Sequence, residues 1–361
     1  MIIKSMNLKN YRNYRELCID FDPNTNIFYG DNAQGKTNIL EAVYVSGTTK
    51  SHRSSKDREL IYFSEEEAHI RTLIEKRGIE HKIDMHLRKN KSKGIAIDGI
   101  PIKKASELFG IIHFVFFSPE DLNIIKNGPS ERRRFLDMEL CQLDKIYLHL
   151  LSSYNKIVLQ RNRILKEMAF RSDYREVLDI LDLQMVKYGT QVIKRRRHFT
   201  KELNDIIGRI HNQLTGGQED MILEYESNTE EDFFADQLKR SMERDMKQKT
   251  STTGPHRDDL SFSVNGIDIR RFGSQGQQRT AALSLKLSEI ELVRKVIHDT
   301  PVLLLDDVLS ELDGNRQNYL LNSIQDVQTM ITCTGLDEFI NHRFSINKVY
   351  RVTDGQVMME N

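Results

Sequence analysis

Gly30–Asp31–Asn32–Ala33–Gln34–Gly35–Lys36–Thr37 decides the reading of this chain. The eight residues fit the phosphate-binding pattern G-x-x-x-x-G-K-[ST], and both flanks suit it. Asn26–Ile27–Phe28–Tyr29 is a short apolar run that ends a strand, and Thr37–Val45 has helical spacing, with Ile39, Leu40 and Val43 on one face. Glycine lets the backbone bend tightly and approach an anion closely. The free N–H groups from Gly30 through Gln34 to Thr37 then point at phosphates, with the helix dipole favouring negative charge. Lys36 is expected to reach the β- and γ-phosphates, and the Thr37 hydroxyl to bind Mg²⁺. A chance match is roughly a one-in-a-hundred event for average residue usage in a chain this long. The stretch predicts nucleotide binding.

The 361 residues leave room for two or three domains. With 53 basic and 53 acidic residues the net charge is zero, so a nucleic-acid or membrane partner has to be argued from local patches. Cys18, Cys141 and Cys333 are far apart and odd in number, against a disulfide framework and for a reducing compartment. The N-terminus lacks the apolar core of a signal peptide, and the longest apolar runs, Ile111–Phe117 and Val302–Leu305, are too short for a bilayer. The expectation is a soluble, cytoplasmic protein.

Upstream of the phosphate loop, residues 1–29 read as two strands joined by Asn10–Tyr14, then a third strand. Arg12 and Asn13 in that link read either as part of a ledge for the adenine base or as a solvated hairpin turn. Downstream, Lys50–Arg58 is basic and loop-like. It reads as a surface loop or, through Lys50, Arg53, Lys56 and Arg58, as a contact to a nucleic-acid backbone. Ala68–Glu75 and His81–Arg88 pair around Arg77–Gly78, and a further strand pair turns at Asp98–Gly99. Ile111–Phe117 suits a buried central strand.

From Ser130 the pattern is helical, with Ser130 as a cap and Leu136, Leu140, Leu143, Tyr147, Leu150, Tyr154 and Ile157 as one seam. A second helix is expected from about Tyr174 to Leu214, after a turn at Arg171–Ser172–Asp173, making an antiparallel hairpin of two similar helices. Residues 119–212 carry 18 Lys/Arg against 13 Asp/Glu and residues 219–247 carry 4 against 10, runs that usually mark solvated faces. Strands resume at Leu260, with Asn265–Gly266 as a two-residue turn. Ser274 and Gln277 form a capping box, which makes the glycine-rich Phe272–Arg279 a second anion-receptive helix start. Val302–Leu305 runs into Asp306 and Asp307. A buried strand ending in two carboxylates beside a phosphate loop is the arrangement that holds Mg²⁺, through Asp306, and orients water, through Asp307.

Phosphate loop, capped glycine-rich helix, Asp–Asp strand and Leu309–Ser310–Glu311–Leu312–Asp313, in that order, resemble the ABC-type ATPases. More narrowly, the chain looks like an SMC-like head split by a helical insertion. The short insertion, with Asn10–Tyr14, Gly30–Thr37, Phe117–Asp121, Gly254–Asp259 and Phe272–Arg279, resembles the RecF family of bacterial recombination mediators over essentially the whole chain. The resemblance implies an α/β P-loop ATPase with a β-rich lobe, residues 1–118 and 250–361 forming its two halves and 119–249 a helical arm. It implies Mg²⁺ and ATP held between two subunits, with Ser274, Gln275 and Gly276 meeting the γ-phosphate in trans and Leu309–Asp313 crossing the dimer interface. It also implies a dimer that clamps duplex DNA near single-strand junctions at gaps, helps RecR and RecO load RecA, and is reset by weak DNA-dependent ATP hydrolysis. The chain departs from the wider ABC pattern in Asp307, where Glu is common, in the absence of Gln from Ser118–Asp121, and in Thr334 at the switch position. Two other readings are a transporter-type nucleotide-binding subunit and a simple P-loop kinase or hydrolase. The missing switch His and the strand-rich span before the arm argue against the first. The second leaves Ser274–Gly276 without a purpose.

Overall fold

Alternation of apolar and polar residues makes the first part of the chain a sheet. The computed structural model describes residues 1–54, 56–167, 175–336 and 346–360. In it β1 (Ile2–Tyr11) and β2 (Tyr14–Asp20) form a hairpin, and β3 (Thr25–Tyr29) leads to α1 (Lys36–Thr48). Then come β4 (Glu67–Lys76), β5 (Ile79–Arg88), β6 (Gly94–Ile97), β7 (Ile100–Pro101) and β8 (Phe114–Phe117). The turns at Arg77–Gly78 and Asp98–Gly99 both adopt positive φ, as expected for tight two-residue hairpins. Strands β2-β1-β4-β5-β6-β7 form one antiparallel sheet in that order.

The helical region is more divided than the sequence suggests. It consists of α2 (Leu122–Lys126), α3 (Pro129–Leu143), α4 (Lys145–Glu167) and α5 (Arg175–Leu214). The expected single seam is broken at Asp144, whose carboxylate accepts from the N–H groups of Ile146 (2.8 Å) and Tyr147 (3.0 Å) and so starts a new helix. Ser130 is not the cap: Gly128 holds that place, with Pro129 in the first turn. The turn expected at Arg171–Asp173 lies outside the described residues, as does Ser55 of the basic loop. Arg161 meets Asp182 and Arg196 meets Tyr147, so α4 and α5 run antiparallel, although α5, at 40 residues, is far longer than α4, at 23.

After Gly216 and Gly217, both at positive φ, come β9 (Met221–Glu226) and α6 (Phe234–Gln248), where the sequence showed little beyond an acidic run. Next are β10 (Asp259–Val264), β11 (Ile267–Asp268), the short α7 (Ile269–Phe272) and α8 (Gln275–Ile297). The chain closes with β12 (Val302–Asp306), α9 (Gly314–Ser323), β13 (Thr329–Cys333), β14 (Lys348–Thr353) and β15 (Gln356–Glu360).

The described residues fall into two compact units, Met1–Asp121 with Glu289–Asn361, and Leu122–Ser288. In the first, a second sheet has the order β15-β14-β3-β13-β12-β8, parallel except for the antiparallel edge strand β15. Strand β8 is therefore an edge strand and not a central one, though Phe114 to Phe117 are all buried. Helix α1 packs against strands of both sheets, which is why Ile39, Leu40, Ala42, Val43 and Val45 have no exposed area and helical spacing gives way to burial all round. Each such Leu, Ile or Val is worth ~1.5–3 kcal/mol relative to exposure.

The second unit extends further along the chain than the expected arm. Residues 250–288 group with it because β10 pairs with β9 from Asp259↔Glu226 to Val264↔Met221. Its interior holds charge. Arg196, buried, donates to Asp137 (2.7 Å), Asp258 (3.0 Å) and the Pro255 carbonyl (2.6 Å), and Arg132 forks onto Asp259 at 2.6 and 2.9 Å. His256 belongs to the same core, accepting from the Tyr154 hydroxyl (2.7 Å) and donating to the Ser251 carbonyl (2.9 Å).

Candidate nucleotide-binding site

The parallel register assembles the site. Cys333 pairs with Tyr29 and Asp306 with Thr332, so the carboxyl ends of β3, β13 and β12 lie side by side. That edge is where ligands bind in open α/β sheets. From β3 the chain turns at Gly30, where a Cβ would stand 2.4 Å from the carbonyl oxygen of Val352, and φ is +146°. Gly35, at φ +113°, is equally constrained, since a Cβ there would lie 2.4 Å from Asn13 and 2.8 Å from the Tyr14 hydroxyl. The two glycines of the motif are therefore demanded by neighbours in this fold.

Thr37 donates its hydroxyl to Asp306 Oδ1 at 2.8 Å, and Thr332 donates to the same oxygen at 2.7 Å. Lys36 Nζ donates to the carbonyls of Gly30 (2.6 Å) and Asp31 (2.8 Å). A cavity of ≈ 270 Å³ is lined by Asn32, Ala33, Gly35, Lys36, Thr37, Asn38, Arg53, Asp306, Asp307 and Thr332. Burial holds the Asp306 carboxyl above its usual pKa, against the opposing pull of Thr332, Thr37 and Arg53. Burial also lowers the Lys36 ammonium, although Asp307 and Asp306 act the other way. Oxygen donors from a threonine and a carboxylate, with open space beside them, suit Mg²⁺, which keeps waters and takes few protein ligands. Asp307 sits at φ +53°, a left-handed conformation uncommon outside glycine, and its N–H donates to Thr332 Oγ1 at 3.0 Å.

The Tyr11–Tyr14 link is neither a solvated turn nor an open ledge. Asn13 Nδ2 donates to the Gln34 carbonyl (3.0 Å), Asn38 donates to Asn13 Oδ1 (2.9 Å), and the Tyr14 hydroxyl donates to the Gly35 carbonyl (3.0 Å). The link braces the phosphate loop from behind. Arg12 forks onto Glu41 at 2.7 Å from both Nε and Nη2, and reaches Ser54 with Nη2 as well. Glu41 is fully buried on α1 and also accepts from Ser51 (2.5 Å) and Tyr11 (3.3 Å). Burial would raise its pKa, but Arg12 and Ser51 outweigh that and hold it below the carboxylate range. Sequence reasoning passed over Glu41, yet a carboxylate set between Ile39, Leu40 and Ala42, Val43 was a signal.

Of the four cations proposed for nucleic acid, Arg53 lines the phosphate cavity, while Lys50, Lys56 and Arg58 are exposed and outside its lining. The loop is tied down where Ser51 Oγ accepts from the N–H groups of Arg53 and Ser54. In the second unit the capping box forms as expected: Gln277 donates its N–H to Ser274 Oγ (3.2 Å) and Ser274 donates its N–H to Gln277 Oε1 (2.9 Å). Ser274, Gln275 and Gly276 are exposed at the start of α8.

The arrangement has known relatives. The family model described as the RecF/RecN/SMC N terminal domain matches residues 2–358. A protein of Agathobacter rectalis named DNA replication and repair protein RecF is 66% identical over 357 residues, 99% of each chain. The chain belongs to the RecF family. The RecF of Lachnospira eligens is 60% identical over 363 residues, covering both chains completely. Among solved structures, the recombination mediator protein RecF of the RecFOR pathway, solved with ATP, superposes with a TM-score of 0.93 at 34% identity, over 99% of this chain and 97% of that one. An Smc head bound to the C-winged helix domain of ScpA has a TM-score of 0.59 at 15% identity, over 100% of this chain and 97% of that one, a likeness of fold alone. The fold is thus the α/β ABC-type ATPase head of the RecF and SMC group. Among the described residues, no helix is long and apolar enough to cross a membrane.

Proposed function

We propose that this RecF-family chain is a recombination mediator that binds Mg·ATP, dimerises around it and clamps duplex DNA near single-strand/double-strand junctions at gaps. In this reading Lys36 leaves the Gly30 and Asp31 carbonyls for the β- and γ-phosphates. The amides of Gly30–Thr37 cradle the chain of phosphates, and Thr37 and Asp306 hold Mg²⁺. Asp307 orients the attacking water, and Ser274, Gln275 and Gly276 of a second copy close on the γ-phosphate. Arg53, given its place in the cavity lining, serves the nucleotide and not DNA, which leaves Lys50, Lys56 and Arg58 as the cations offered to the duplex. Arg12 and Asn13 support the loop and do not bear on the base. The clamp works with RecR and RecO in loading RecA in the cytoplasm, and slow hydrolysis, favoured by DNA, resets it. The ATPase function belongs to residues 1–118 and 250–361, with 119–249 as the arm.

The observation that supports this reading is the meeting of Lys36, Thr37, Asp306 and Asp307 on one cavity. In this reading the capped, exposed helix start at Ser274 serves the nucleotide of another copy. The test is fluorescence anisotropy of a labelled gapped duplex with the protein alone and with Mg·ATP. Affinity should rise with ATP and fall steeply with salt, as a phosphate-dominated contact requires. Equal affinity with and without ATP would remove the clamp and leave the simple hydrolase reading.

A further inference from the structure

The antiparallel sheet buries one face under α1 and exposes the other. On β4 and β5, Ala68, Ile70, Met85 and Leu87 point to the buried face, so Glu67, His69 and His86 share the open one. His69 and His86 are direct cross-strand partners, and Glu67 lies two residues before His69 on the same strand. The two imidazoles stack with centroids 4.2 Å apart and planes at 19°. His86 Nε2 is 2.6 Å from Glu67 Oε2, and one donor atom from each of the three residues lies within 4.8 Å of the others. Gly94 of β6 stands opposite His86, and its missing side chain leaves a groove of ≈ 430 Å³ over the histidines, lined also by Asn7, Lys9 and Arg71.

We infer that Glu67, His69 and His86 form a binding site for a single divalent transition-metal ion, Zn²⁺ by its ligand set, with its fourth coordination position open to the groove. Two imidazoles and a carboxylate are the three-ligand set of open zinc sites, with bonds of about 2.0–2.2 Å. Tetrahedral bonds of that length need donors about 3.4 Å apart. Side-chain rotation on the open face supplies the closure, because the paired backbone already sets the three residues in a triangle. Arg71 is neutralised by Asp84 at 2.5 Å, so the cations that oppose the metal are Lys9, which pairs with His69 across β1 and β4, and Arg88, which pairs with Glu67 across β4 and β5. The site is separate from the Thr37–Asp306 pair and owes nothing to the nucleotide.

The test uses full-length protein stripped with chelator and kept free of nucleotide in excess Mg²⁺, so that no ATP competes for added metal and the Thr37–Asp306 oxygens meet the hard cation they suit. Titration with Co²⁺ should produce visible d–d bands that saturate at one equivalent and vanish when Zn²⁺ is added. His69→Gln and His86→Gln should each weaken binding by roughly tenfold or more, and Glu67→Gln should weaken it too. Since all three side chains face solvent, circular dichroism and ATP affinity should stay unchanged in the variants. Bands that fail to saturate at one equivalent, or that persist undiminished in His69→Gln and His86→Gln, would overturn the assignment.

Discussion

Thr37, in the first turn of α1, donates to Asp306, the last residue of β12, across 2.8 Å. One hydrogen bond thus joins the phosphate loop to the Asp–Asp strand across 269 residues of sequence, and it joins them through the atoms a hard cation needs. Thr37→Val should remove the Mg²⁺-dependent part of nucleotide affinity, roughly tenfold to a hundredfold, while Thr37→Ser retains it. Calorimetric titration with ATP, with and without Mg²⁺, measures the difference. Because burial raises the Asp306 carboxyl above its usual pKa, Mg²⁺ uptake should also release a proton wherever that carboxyl is protonated, so Mg²⁺ affinity should weaken as pH falls.

Arg12 and Glu41 form the buried counterpart of that pair. Arg12→Ala leaves a fully buried carboxylate without its guanidinium, and the expected loss is about 3–5 kcal/mol of stability in denaturant unfolding. Adding Glu41→Gln should recover part of the loss by removing the stranded charge. Glu41 titrates below its ordinary value when folded, so its contribution is present above the unfolded pKa and fades as pH falls through the folded one.

His256 behaves in the opposite sense. Burial, against the pull of the Ser251 carbonyl, lowers its pKa to about 4, so the folded chain keeps it neutral where the unfolded chain protonates it. Between the unfolded and folded pKa values the unfolded state binds more protons, and stability falls as pH drops. From pH 7 to pH 5 the second unit should lose about 2 kcal/mol through this group. Chemical unfolding at the two pH values, compared with His256→Gln, isolates the contribution.

Asp307 holds a left-handed backbone that Asn also tolerates, so Asp307→Asn changes charge with little change of shape. Phosphate release should fall roughly a hundredfold or more, with ATP binding retained. Unchanged turnover would take the water-orienting role away from Asp307.

Much of the ATPase half was legible because its signals are local. Gly30–Thr37, the run into Asp306–Asp307, the Ser274–Gln277 box and the two-residue turns each carry their own chemistry in a few residues. The helical region was harder to read. An apolar seam crosses Asp144 without a break in period, so only the carboxylate's capping role separates α3 from α4. Strand β9 was hidden because Glu224 and Glu226 on its exposed face make it read as an acidic run, and pairing with β10 is a long-range fact. The support of the phosphate loop by Asn13 and Tyr14, the burial of Glu41 and the turn of Arg53 toward the cavity likewise depend on residues distant in sequence. Polar side chains there gave the residue types without the direction they face.

The central claim is that ATP joins two copies through Lys36 of one and Ser274 of the other. Sedimentation with Mg²⁺, alone, with ATP, and with ATP plus a short gapped duplex tests it most directly. The protein should be a monomer that becomes a dimer with ATP and carries the duplex, and it should stay monomeric in Lys36→Ala and in Ser274→Arg. A monomer that binds ATP under every condition, or a dimer indifferent to Ser274→Arg, would contradict it.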